Sequence, residues 1–111
     1  MRQTSSLTVH SISLDAIRTL RPLLERIERR DRNLADQIRR AATSVALNIA
    51  EGDASIGGNR RVRFASARAS SREVRSALAV AVAWGYVNES ACEELDAMFD
   101  RVSAMLYPLT R

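Results

Sequence analysis

The stretch Leu34-Ala-Asp-Gln-Ile-Arg-Arg-Ala-Ala-Thr-Ser-Val-Ala-Leu-Asn-Ile-Ala-Glu-Gly52 decides the fold. Leu34, Ile38, Ala41, Val45, Ile49 and Gly52 recur every three or four residues and so fall along one stripe of a helix, which reads as a core seam. A polar line, Gln37, Ser44, Asn48 and Glu51, runs beside that seam and too close to it to be the solvated back of the helix. Its expected partners are Ser70, Arg68 or Glu73, on the helix that returns past this one, because a buried polar group left unpaired costs about 1–3 kcal/mol.

Working outward, the same periodicity predicts three more helices. The first spans 13–30, with Ser13 or Ser11 as cap, Asp15 in its first turn and a seam of Ile17, Leu20, Leu24 and Ile27. Pro22 interrupts its hydrogen bonding and predicts a kink near Thr19. The stretch above forms the second helix, 33–52, with Gly52 as a left-handed cap, followed by a loop from Asp53 to Asn59. The third helix, 60–84, has Phe64, Ala67, Ser71, Val74, Leu78, Ala81 or Val82, and Gly85 as its seam. Gly85 and Asn88 then mark a turn into the fourth, 89–107, with core positions Ala91, Leu95, Met98, Val102, Met105 and Leu109, widened by Phe99 and Leu106. Short connections between long helices give an all-α, antiparallel up-down-up-down four-helix bundle over residues 12–111, preceded by a flexible tail over residues 1–11.

Two further features concern surfaces. All 17 basic residues are arginine. Residues 1–88 hold 15 arginines against 8 acids (+7), while residues 89–111 hold 2 against 5 (−3), so a basic body carries an acidic last helix. Arg61, Arg68, Arg72 and Arg75 project within about 60° of one another on the third helix and, with Arg39, Arg40 and Arg60, form the expected phosphate-contacting set. The stretch Ala77-Leu-Ala-Val-Ala-Val-Ala-Trp84 is apolar on every side, which predicts a subunit interface through Leu78, Val80, Val82 and Trp84, with Leu47 on the second helix.

Gln37-Ile-Arg-Arg-Ala-Ala-Thr-Ser44 and Asn48-Ile-Ala-Glu-Gly52, with Ala67-Arg-Ala-Ser-Ser-Arg-Glu-Val74 and Ala81-Val-Ala-Trp-Gly-Tyr86, resemble the signature of the small bacterial four helix bundle protein family. That family includes proteins encoded in intervening sequences of large-subunit ribosomal RNA genes and accessory proteins of diversity-generating retroelements. The resemblance runs from Leu14 to Leu109, with one departure at Ala69, where it leads one to expect glycine. It implies a homo-oligomer in the form of a pentameric ring and, for the retroelement relatives, binding to RNA or DNA and to a reverse transcriptase.

Little in the chain points to catalysis. His10 falls in the expected tail, Cys92 sits at helical spacing from core positions, and neither belongs to a metal-binding or nucleophilic cluster. No enzymatic role, cofactor or metal is expected. The chain has no run near the ~20 apolar residues of a membrane span and no apolar segment of a secretory signal, and its lone cysteine fits the cytoplasm. The reading is a non-enzymatic, basic, homo-oligomeric RNA- or DNA-binding accessory protein. The alternative is a protein-binding scaffold whose arginines serve only ion pairs with the acidic helix.

Overall fold

The structure is a computed structural model that describes residues 6–111. Four helices, α1 (Ser6–Arg30), α2 (Arg32–Ala54), α3 (Gly57–Ala83) and α4 (Glu89–Leu106), are followed by a 3₁₀ turn at Tyr107–Thr110. α2 pairs most extensively with α3, α1 lies on α2, and α4 closes the square against α3 and α1, giving the up-down-up-down order in a bundle of 42 × 26 × 19 Å.

The seams of α2 and α3 are buried at Leu34, Ile38, Ala41, Val45, Ile49 and Gly52 and at Phe64, Ala67, Ser71, Val74, Leu78 and Ala81; Val82 is half-buried, and Gly85 lies beyond the end of α3 and is exposed. In α4 the seam is rotated by about one residue from the expected one. Cys92, Leu95, Phe99, Val102 and Leu106 are buried, while Ala91, Met98, Met105 and Leu109 lie at its margin. A seam centred on Phe99 hides more apolar area than one centred on Met98, and area decides the rotation.

The N-terminal segment departs from expectation. α1 begins at Ser6, so residues 6–11 are helical rather than a tail, while residues 1–5 lie outside the described range. Val9 is fully buried and the Ser6 hydroxyl donates to Asp53 Oδ1, which ties this turn to the end of α2. Ser13 is consequently interior rather than a cap, its hydroxyl donating to the His10 carbonyl at 2.6 Å. α1 continues unbroken through Pro22. The Thr19 hydroxyl, in the turn before it, donates to the Asp15 carbonyl at 3.0 Å.

The turns are set by local chemistry. Asp31 caps α2 by accepting from the Leu34 N–H at 2.9 Å, and Asn88 caps α4 by accepting from the Ala91 N–H at the same distance. α3 ends in a Schellman motif, with the Tyr86 N–H on the Ala81 carbonyl, the Gly85 N–H on the Val82 carbonyl, and Gly85 at φ +80°. Val87 and Cys92 are both buried, which fits a hydrophobic staple across the α4 N-terminus. Gly52 is not the left-handed cap of α2: the helix passes through it to Ala54, and Gly57, at φ +64°, supplies the reversal. The expected Asp53–Asn59 loop thus shrinks to Ser55 and Ile56.

Candidate nucleic-acid interface

The polar line of α2 divides. Ser44 and Ser70 share a hydrogen bond at 2.9 Å, and Asn48 Nδ2 donates to the Ser44 carbonyl at 3.0 Å and to its hydroxyl at 2.9 Å. These three form the half-buried network between α2 and α3. Glu51 instead pairs with Arg63 at 3.2 Å on the surface, and Gln37 and Glu73 are exposed outside the network. The helix turns them toward water, since a small rotation of the axis moves one edge of a polar stripe outside the contact.

An open depression of about 470 Å³ lies over this network, lined by Ser44, Leu47 and Asn48 together with Arg39, Arg40, Arg63 and the carboxylate of Glu51, which Arg63 pairs. A smaller depression of about 340 Å³ between α3 and α4 is edged by Glu89, Glu93 and Asp96 with Arg75, an acidic lining that repels anions.

The seven arginines assigned to phosphate contact do not act as one set. Arg75 donates through Nε and Nη2 to Asp96 at 2.9 and 3.2 Å, and through Nη1 to Asp100 at 2.8 Å. The hydrogen bonds to Asp96 hold its guanidinium above the ordinary pKa. Arg68 donates to the Ser103 carbonyl at 3.2 Å and lies over the Tyr107 ring. Arg60 donates to the Gly52 carbonyl at 3.1 Å and covers Phe64. Arg39 bridges Glu28 and Asp36 at 3.0 and 2.9 Å. Among the described residues, Arg40, Arg61 and Arg72 are exposed and carry no ion pair. The basic flank of α3 and the acidic α4 thus attract one another within one chain, through Arg75.

The interface set changes too. Leu78 is 2% exposed, so it belongs to the bundle's own core and is not open to a second copy, and Val82 packs against the same core. Leu47 is 61% exposed and Trp84 67%, with Val80 and Val62 also open to solvent. Val62, Ser66, Ala69, Ser76, Val80 and Ala83 follow one another at helical spacing on the exposed side of α3. Ala69 belongs to this outer side, so the bundle's own packing does not require a glycine there.

The His10 carbonyl accepts from the Ser13 hydroxyl, and Cys92 is buried in the bundle core. Burial pushes the Cys92 thiol upward, with Asp96 adding to the shift, which keeps it protonated and apolar in behaviour. No group of three or more His, Cys, Asp or Glu among the described residues is placed to hold a metal ion. No described helix is long and apolar enough to cross a membrane.

The fold and surface define a small arginine-rich four-helix bundle with a basic depression across its best-packed helix pair. The profile of the 23S rRNA-intervening sequence protein family matches residues 7–108, and the chain belongs to that family. A protein with unknown function from the S23 ribosomal protein family of Bacteroides thetaiotaomicron VPI-5482 has a similar solved structure, with a TM-score of 0.80 at 18% identity over 93% of this chain and 98% of that one. At that identity the likeness concerns the fold alone. No curated protein matches the chain.

Proposed function

We propose that this protein is a non-enzymatic, self-associating nucleic-acid-binding module that contacts phosphates through arginines. The observation that carries the reading is the depression over Ser44 and Asn48, where three arginines, Arg39, Arg40 and Arg63, stand against one acid, Glu51, which Arg63 already pairs. Arg40, unpaired there, and Arg61 and Arg72 on α3 are the guanidinium groups available for phosphate without first breaking an internal pair. Self-association runs through Leu47, Val80 and the small residues of the outer α3 side, in the pentameric ring that the family resemblance implies, and it multiplies weak phosphate sites by avidity.

Binding to duplex and single-stranded oligonucleotides across a salt series tests this. Affinity falls steeply with salt if phosphates are contacted, and the slope shrinks in an Arg40→Ala/Arg72→Ala variant. Salt-independent binding, or none at low salt, removes the reading. The exposed apolar side of α3 favours the scaffold alternative only in that second case.

A further inference from the structure

The end of the bundle where α1 passes into α2 and α3 into α4 carries an aromatic pair. Trp84 stacks on Tyr86 with ring centroids 6.4 Å apart and planes 18° from parallel, yet Trp84 stays 67% exposed. Tyr86 is fixed underneath it. Its hydroxyl donates to Asp31 Oδ2 at 3.0 Å, and the Arg30 guanidinium lies 5.5 Å from its ring centroid. Around the α1–α2 turn, Arg29, Arg30, Arg32 and Asn33 line a shallow depression of about 370 Å³ with Glu28 and Asp31. Both acids there are already occupied, Glu28 by Arg39 and Asp31 by the Leu34 N–H and Tyr86. Arg29 and Arg32 are exposed and carry no ion pair among the described residues.

An exposed indole on a rigid support, beside guanidinium groups whose neighbouring acids are engaged elsewhere, has the two elements that single-stranded nucleic acid requires: a surface for the base and cations for its phosphates. A duplex offers the cations their phosphates but keeps its bases stacked away from the indole. We propose that Trp84, held on Tyr86, is a stacking platform for an unpaired base of a single strand whose phosphates meet Arg29, Arg30 and Arg32. This rests on the nucleic-acid reading above and assigns that reading a strand type and a second contact region. It also takes the indole away from the copy-to-copy surface, where its position on the helical wheel alone would put it.

Trp84 is the chain's only tryptophan, so its fluorescence reports directly on the platform. The full-length protein is titrated at low salt with a 12-nucleotide oligouridylate and with a duplex of the same length. Expected is saturable quenching by the single strand and none by the duplex. Trp84→Leu weakens single-strand affinity about tenfold by anisotropy of a labelled oligonucleotide, Trp84→Phe restores most of it, and duplex affinity is unchanged in both. An Arg29→Ala/Arg32→Ala variant lowers the single-strand salt slope by about 1.4. Single-strand binding without quenching, with Trp84→Leu binding as tightly as the parent, overturns the platform and leaves the nucleic-acid reading standing. A concentration-dependent blue shift with no response to oligonucleotide assigns Trp84 to a second copy and overturns it equally. Failure of both oligonucleotides to bind removes the nucleic-acid reading itself.

Discussion

Phe64 lies directly against the backbone of Gly52: a methyl group added at Gly52 would sit 2.7 Å from Phe64 Cε1. Phe64 is completely buried between α2 and α3, so its ring has no free space to move into. Gly52→Ala gains the helix propensity of alanine, about 1 kcal/mol, but overpacks the core by about 1–3 kcal/mol. Chemical denaturation should show a net loss of up to about 2 kcal/mol. Gly58→Ala is the control, because the one neighbour of its added methyl is the tip of Arg61 at 3.8 Å, and its stability should be unchanged or slightly raised.

Two buried serines should respond in opposite ways. The Ser71 hydroxyl donates to the Phe99 carbonyl at 2.7 Å and links α3 to α4. The Ser103 hydroxyl is buried with no hydrogen-bond partner among the described residues. Ser71→Ala should cost about 0.5–1.5 kcal/mol, and Ser103→Ala should be neutral or stabilising, as urea midpoints would show.

The bond between Asp31 and Tyr86 should give stability limits at both ends of the pH scale. The Leu34 N–H and the Tyr86 hydroxyl hold the Asp31 carboxyl below its ordinary 3.8. Its contribution is therefore present above that value and is lost as pH falls through the lower folded one. Donation to Asp31 raises the Tyr86 phenol above 10.0, so that contribution is present below 10.0 and is lost as pH rises through the higher folded value. Melting temperatures of the parent and Tyr86→Phe should differ most between about pH 4 and pH 10, and converge as pH falls below or rises above that window.

Arg75 and Arg72 should separate by function. Arg75 is held by Asp96 and Asp100, and a double-mutant cycle with Asp96 should return a coupling of about 0.5–1 kcal/mol, modest because both side chains are partly solvated. Arg75→Ala should leave the salt dependence of duplex binding unchanged. Arg72→Ala should reduce its slope by about 0.9, the contribution of one phosphate contact.

How much of this was legible follows from side-chain length. The seams of α2 and α3 read directly from the sequence because Ile, Val and Ala are short and point where their backbone position points. In α4 apolar residues crowd neighbouring positions, so the choice between Met98 and Phe99 depended on what α3 and α1 present to it. The arginines were the least legible. A guanidinium at the end of several rotatable bonds reaches across helices, and spacing on one helix does not reveal an acid on another, as at Arg75 and Asp96. Gly52 reads from the sequence as a seam position and a helix cap; the close approach of Phe64, twelve residues later, is what its lack of a side chain serves. Residues 6–11 looked unpatterned because their burial rests on Val9 and on Ser6, a polar residue that gives no apolar signal.

The Ser44–Ser70 bond also has a kinetic meaning. Two of the shortest polar side chains meet directly, so the axes of α2 and α3 must lie near the lower end of the 8–10 Å range for packed helices. A pair that tight, and the most extensively joined in the bundle, sheds its amide protons last. In deuterium exchange α1 and α4 would therefore take up label first, leaving a two-helix hairpin as the slowest-opening unit of the molecule.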